Sequence, residues 1–313
     1  MQIDAINNNY FDILEDAYRS KTELISSKPF RLSLKLYNFY NSIKHGFFIE
    51  NLKREYNGRR LRKFSSKCSI KSDFRYGQYP NNEIRILVYT CITGGYDNPL
   101  PPIFDIPNTD YVLLTDAEEN ASVNGWQVRL IPDDIKQLGN GTLINRYYKM
   151  HPSVIGEDYD FAIYVDGNIQ VTSNIRNIVN ALSPTTGLAI HRHPSRNCIF
   201  DEVRACKILK KGNINQLNKQ VENYKREGFP QNFGLLECTI IVSDLHNCKS
   251  TDILDQWWNE FKDSSSFRDQ ISLPYIIWKN KLSIDDIGNL GYNLRMNPKF
   301  RYVVHSNENK YLI

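Results

Sequence analysis

Thirteen residues near the middle of the chain, Tyr159 to Val171 (YDFAIYVDGNIQV), constrain its fold more than any other stretch. Phe161 to Val165 is an unbroken run of apolar and aromatic residues of high β-propensity, which reads as a buried strand. The run stops at Asp166-Gly167-Asn168, two oxygen-bearing side chains around a glycine. In an open α/β sheet, ligands gather at the carboxyl ends of strands. An Asp and an Asn two residues apart at such an end present hard oxygen ligands to one Mg²⁺ or Mn²⁺. Gly167 lets the backbone approach whatever that ion holds. The same tripeptide also suits a plain Asp-Gly turn, so the rest of the chain has to decide.

From residue 84 onward, strand and helix signals alternate. Arg85–Thr90, Tyr111–Leu114, Thr186–Ile190, Thr239–Val242 and Tyr302–Val304 read as further strands. Leu143–His151, Phe200–Lys210, 213–227, Thr251–Phe261 and Ile271–Trp278 read as helices. Such alternation argues an α/β domain with a mainly parallel sheet. The first strand runs into Cys91-Ile-Thr-Gly94-Gly95-Tyr96-Asp97, where a nucleotide-binding α/β domain begins to touch its ligand. Neither a GxGxxG nor a Walker sequence is present, so a dinucleotide or P-loop reading lacks support. Asp116, at the end of the second strand, suits a base N–H or a helix cap. Arg146 and Lys149 stand three apart on one helix face, where they would clamp a diphosphate or simply face solvent. His191 and His193 form an HxH pair of the kind that binds zinc. Ser266 and Asp269 have the spacing of a capping box.

The first part of the chain is different in character. Residues 1–75 carry 15 Lys/Arg against 8 Asp/Glu, a net of +7, which leaves −3 for the remainder of a chain whose total is +4. Residues 9–27 read as a helix broken by Pro29. A second amphipathic stretch follows, with Leu32, Leu36, Phe39, Ile43 and Phe47 on one face, and then a basic run from Lys53 to Lys67. That combination suits an anionic membrane surface or a helical hairpin packed on the next domain, with a solvated basic loop. No nucleic-acid fold signature accompanies the charge, so nucleic acid is not expected as a partner. The six cysteines form no CxxC pattern and read as reduced. With no signal peptide and no transmembrane-length apolar run at sequence level, a cytoplasmic protein, peripheral on the cytoplasmic face of a membrane, is expected.

The segments VYTCITGGYDNP, YVLLTD, NRYYKMHP, YVDGNI, HRHPSRNCIFDE, EGFPQNFGLLE, QWWNE and FRDQISLPY, in that order, resemble the TOD/MUCI-type glycosyltransferase-like family, which has a GT-A-like fold. Asp166-Gly-Asn168 then stands where the DxD signature of GT-A enzymes lies, with Asn in the second acidic position. NRYYKMHPSVIGEDYDFAIYVDGNI is also similar to the retaining glycogenin and galactinol synthase type. The chain thus divides into a basic, mostly helical N-terminal segment and linker over 1–80, read from its helical periodicity and charge, and a GT-A-like domain over 81–313, implied by the resemblance. The resemblance also implies a nucleotide-sugar donor, a UDP-sugar by preference, and a glycan or lipid-linked acceptor in surface polysaccharide synthesis, with retention favoured over inversion. By the same resemblance, Asp166, Asn168 and His305 would hold Mn²⁺ or Mg²⁺. Thr90, Gly94 and Asp116 would line the nucleoside pocket, with Arg146 and Lys149 on the leaving diphosphate. Asp269, Glu237 and Arg268 would be catalytic, and His193, Arg196, Glu202 and Gln270 would contact substrate. Two other readings stay open: a metal-dependent hydrolase built on Asp166, His191 and His193, and a non-catalytic sugar-binding protein on the same fold.

Overall fold

The structure, a computed structural model, describes residues 2–65, 74–117, 122–156 and 158–303. Three helices come first: α1 (Gln2–Ser26), α2 (Lys28–Lys44) and α3 (Phe48–Arg62). Pro29 does not merely end a helix; it sits in the first turn of α2, where its missing N–H costs nothing, and Ser27 Oγ accepts from Phe30 N at 3.4 Å as the cap. The basic run, a solvated loop in one of the two readings of this segment, is mostly helical and forms α3. Lys, Arg, Leu and Glu are good helix formers, and charge alone does not break a helix.

The α/β unit follows, with β1 (Ile86–Ile92), β2 (Thr109–Thr115), β3 (Ser122–Val123), β4 (Trp126–Leu130), α4 (Asp133–Lys136), α5 (Gly141–Met150), β5 (Phe161–Val165) and β6 (Ile169–Val171). Then come β7 (Leu188–Arg192), α6 (Ile199–Leu209), α7 (Ile214–Arg226), β8 (Leu236–Asp244), α8 (Cys248–Ser264), α9 (Asp269–Lys279), β9 (Gly288–Tyr292) and β10 (Phe300–Tyr302). The main sheet has the order β3-β4-β2-β1-β5-β8-β7-β9, and β6 pairs with β10 separately. Strands β4, β2, β1 and β5 are mutually parallel, as are β7 and β9, while β8 runs antiparallel between β5 and β7. This is an α/β architecture with helices preceding it, as the sequence implies.

Strands β1 and β5 are buried on both faces: helices α5 to α9 cover one, and the β6–β10 pair with the segments around Phe74, Ile178 and Leu294 covers the other. Their side chains alternate: Leu87, Tyr89, Ala162 and Tyr164 enter one core, and Ile86, Val88, Ile163 and Val165 enter the other. No helix among the described residues is long and apolar enough to cross a membrane.

The segment before β1 is strapped down by one buried guanidinium. Arg176 donates from Nη1 to Pro107 O (3.1 Å) and Asn108 O (2.9 Å), and from Nη2 to Asn81 O and Ile84 O (2.8 Å each). A lysine ammonium cannot span these carbonyls, and hydrogen bonds to charged groups contribute about 1.5–3 kcal/mol each. Arg176→Lys is therefore expected to lower the unfolding free energy by about 2–3 kcal/mol in a urea titration. A loss below about 0.5 kcal/mol, the range of an ordinary surface change, would show that the strap is dispensable.

Candidate active site

The topology collects the candidate residues at one edge of the sheet. The parallel strands β1, β2 and β5 deliver Ile92, Thr115 and Val165 there with their carboxyl ends. Because β8 is antiparallel, its beginning lies at the same edge: Val165 pairs with Ile240, and Asp166 N donates to Thr239 O at 3.0 Å. Glu237 thus comes beside Asp166. The end of β7 faces it on the other side, His191 opposite Glu237 and Arg192 opposite Leu236.

Below this edge lies a buried ionic cluster. Lys149 Nζ donates to Asp269 Oδ2 at 2.7 Å, and Arg146 Nε lies 2.8 Å from the same oxygen. The Lys149 and Asp269 side chains are only 2% and 5% exposed. Lys149 Nζ is also 3.7 Å from Asp166 Oδ1 and 4.9 Å from the centre of the Tyr164 ring. Tyr164 OH donates to Asp166 Oδ1 at 2.9 Å, and Arg146 donates to Asn145 Oδ1. Burial opposes ionisation of Asp269, but Arg146, then Lys149 and Arg268, outweigh it and hold the carboxyl well below the usual carboxylate range. Asp269 also opens α9, where the helix dipole favours an anion.

Several expectations are corrected here. The Ser266–Asp269 capping box does not form: α9 begins at Asp269 itself, and Ser266 Oγ accepts from Arg268 N at 3.4 Å instead. Arg146 and Lys149 do share a face, but it is turned into the protein, with Asp269 as its anion. A carboxylate shared by two cations has little affinity for a proton.

A second cluster stands alongside. Glu202 Oε2 accepts from Arg196 Nε at 2.6 Å, and its Oε1 accepts from Arg268 Nη2 at 3.3 Å. Burial opposes the Glu202 charge, while Arg196, Arg268 and His193 together overcome it and lower its pKa. Arg268 also donates to Gln270 Oε1 at 3.2 Å, and Gln270 Nε2 donates to Leu236 O at 2.8 Å. These contacts tie α6, α9 and the start of β8 together around Glu237. Burial and Glu202 push the Glu237 carboxyl up, Arg295 opposing and Asp166 adding to the rise.

The HxH pair diverges. The pairing of β7 shifts register between Ile190 and His191. His191 Nε2 meets Asn297 Nδ2 at 3.0 Å, while His193 Nδ1 accepts from Ser195 N (3.1 Å) and Arg196 N (3.0 Å). Burial first, then Arg196, pushes the His193 imidazole down to about 4, so it is neutral near pH 7. Among the described residues, no group of three or more His, Cys, Asp or Glu side chains is placed to hold a metal ion. The zinc and hydrolase readings therefore have no ligand set here.

At the ends of β1 and β2, Asp116 takes the Gly94 amide on both carboxylate oxygens, at 2.9 and 3.0 Å. Gly94 and Gly95 have φ of +61° and +62°, which glycine alone adopts at no steric cost, and open space where a Cβ would be. Thr90 is 1% exposed and lies beneath this loop, so it does not line its surface. Gly167 serves packing: a Cβ there would come within 3.0 Å of the Ile92 side chain. Asn168 is fixed by Val303, whose O accepts from Asn168 Nδ2 at 3.0 Å. His305 lies outside the described residues.

The donor set for a metal is thus a carboxylate, Asp166, and the side-chain amide of Asn168. Two hard oxygens on one strand end do not make an all-protein cage. They do fit Mg²⁺ or Mn²⁺ held jointly by one or two protein oxygens, water and a substrate diphosphate.

Reasoning from sequence missed Tyr164, Asn145 and Arg295. The first two carried a usable signal. Tyr164 is two residues before Asp166 and so on the same strand face, and Asn145 adjoins Arg146 in the middle of α5. Arg295 comes from a distant turn and packs over the Tyr302 ring at 4.3 Å.

A family model described as TOD1/MUCI70, glycosyltransferase-like domain, matches residues 149–307, half of the chain. Among solved structures, the galactosyltransferase LgtC with donor and acceptor sugar analogues overlaps 61% of this chain and 69% of its own, at 10% identity and a TM-score of 0.37. Mouse xyloside xylosyltransferase 1 overlaps 67% and 84%, at 10% identity and a TM-score of 0.35. A 49-residue stretch is 41% identical to the Ras-related protein RABG3b of Arabidopsis thaliana, covering 16% of this chain and 24% of that protein. The chain spans about a quarter of the length of the curated relatives it matches, and it contains no P-loop sequence.

Proposed function

The chain belongs to the TOD1/MUCI70 glycosyltransferase-like family, and from that premise we propose that it moves a sugar from a uridine diphosphate sugar to a hydroxyl of a glycan or lipid-linked acceptor in building a surface polysaccharide. The observation that carries this reading is the Asp166 carboxylate at the end of β5, seated on the buried Lys149–Asp269–Arg146 cluster. In the reaction, the bond from the anomeric carbon to the diphosphate breaks and one to the acceptor oxygen forms. Negative charge develops on the departing diphosphate, and an oxygen of that diphosphate takes the proton that the acceptor hydroxyl gives up.

Lys149 and Arg146 place fixed positive charge under that leaving group. Asp269 holds them there before substrate arrives, so no reorganisation is needed as charge develops. Asp166 and Asn168 would hold a divalent ion, which when bound supplies Lewis-acid stabilisation of the diphosphate. The Gly94–Asp116 contact shapes the loop for the nucleoside. Glu237, with its raised pKa, orients a sugar hydroxyl, helped by Arg268 and Gln270, while His193, Arg196 and Glu202 frame the far side of the pocket. Retention of configuration is proposed over inversion, because the Asp269 carboxylate, buried and shared by two cations, has little affinity for the acceptor's proton.

A thermal-shift screen of nucleoside diphosphates and nucleotide sugars, with and without Mn²⁺, tests the reading. Uridine diphosphate with Mn²⁺ is expected to raise the melting temperature, by the equivalent of about 2.7 kcal/mol at a hundredfold excess over Kd. If no nucleotide moves the transition at millimolar concentration, the transferase reading fails and a sugar-binding protein without catalysis takes its place.

A further inference from the structure

Helices α2 and α3 present an apolar and basic surface that no other described part of the chain covers. Every residue from Lys28 to Tyr40 is exposed. Leu32, Leu36, Phe39, Tyr40 and Ile43 are each between 47 and 63% exposed, and they fall within about 100° of arc at 3.6 residues per turn. Lys28, Arg31 and Lys35 flank that stripe on one side, and Lys44 on the other. Across residues 28–63 there are 10 Lys/Arg and 2 Asp/Glu. A free-standing helix of this length is marginal in water, and an apolar stripe normally gains its stability by being covered.

We infer that this face seats the protein on an anionic lipid bilayer, such as the cytoplasmic leaflet of a membrane. The stripe would enter the interface between headgroups and acyl chains while the flanking cations meet lipid phosphates. The charge argues against the other occupants. A symmetric contact with a second copy would bring the same basic patch against itself. Nucleic acid would satisfy the cations but leave the stripe in water, because its contacts are chiefly to phosphate.

The surface is also held in place relative to the active site. Glu15 of α1 is buried, and its Oε1 accepts from Lys299 Nζ and from Ser173 Oγ, each at 2.6 Å. Tyr18 OH donates to Phe300 O at 3.4 Å, on the strand that pairs with β6 just past Asn168. At the other end of the arm, Arg204 of α6 lies 5.5 Å from the centre of the Phe64 ring. A bilayer bound by α2 and α3 therefore has a fixed relation to the site, which would suit a lipid-linked acceptor. That consequence rests on the proposed transfer reaction; the membrane binding does not.

The test is co-sedimentation of the full chain with vesicles of phosphatidylcholine alone or mixed with phosphatidylglycerol, at low and high salt. Binding is expected on the mixed vesicles, at least tenfold weaker on the neutral ones, and weakened by salt. Combining Lys28→Ala, Arg31→Ala and Lys35→Ala is expected to lower partitioning on the order of 100-fold, at about fivefold per basic residue near the surface. Leu36→Glu with Ile43→Glu is expected to lower it as well, with an unchanged melting curve because both sites are exposed. A full chain that stays in the supernatant with mixed vesicles at low salt overturns the inference. So does a concentration-dependent dimer that Leu36→Glu dissociates, which would assign the face to a second copy. Nucleotide binding by the same samples separates either failure from a failure of the transferase reading.

Discussion

Asp269→Asn is expected to destabilise the fold by about 3–5 kcal/mol, the cost of removing one member of a buried ion pair and leaving its partner charged. Lys149 has almost no exposure through which to recover hydration. A capping residue in the first turn would cost about 1 kcal/mol or less, so urea titration distinguishes the two roles sharply. Adding Lys149→Met to Asp269→Leu is expected to restore part of the stability, since a buried pair replaced by apolar groups of similar volume is often neutral, while Arg146, 20% exposed, is left without its anion. Transfer activity should not return, because the Lys149 charge under the diphosphate is gone and Arg146 has lost the carboxylate that positions it. Near-normal stability of Asp269→Asn would mean that the cluster is solvated and the buried-pair account is wrong. The acid limb supplies a second readout. The folded Asp269 carboxyl is held below the unfolded value of about 3.9. Its contribution is thus complete above that pH and is lost only as pH falls toward the lower folded value. In Asp269→Asn that part of the acid transition should disappear.

Asp166→Ala is expected to lower turnover by roughly two orders of magnitude or more, the scale on which one electrostatic stabiliser of developing charge acts. Stability should change far less. The Asp166 side chain is 29% exposed, and its Lys149 contact is the long one, at 3.7 Å against 2.7 Å to Asp269. Isothermal titration of uridine diphosphate with and without Mn²⁺ should show metal-dependent binding in the parent and none in Asp166→Ala. If metal-dependent affinity is unchanged in the variant, Asp166 does not belong to the donor site. Unlike Asp269→Asn, this variant should melt close to the parent, so the pair separates a residue that meets the substrate from one that holds the machinery in place.

The amino-acid sequence by itself determined the strand that carries Asp166, the alternation of strands and helices, and the identity of the family. These are local properties. Five apolar residues in a row can only be buried, a Gly between two oxygen-bearing side chains marks a strand end, and a residue order survives without knowledge of contacts. The stripe on α2 was legible for the same reason, being a matter of helical period. The tertiary structure alone decided that Lys149 meets Asp269, 120 residues away, and that both are buried. It alone turned β8 antiparallel and so brought Glu237 to the edge where Asp166 stands. It alone sent His191 and His193 of one HxH motif into separate networks, through a register shift in β7. Spacing along a chain reports which face of an element a residue occupies. What that face meets is set by which elements pack together, and that depends on the burial and pairing of the whole sheet.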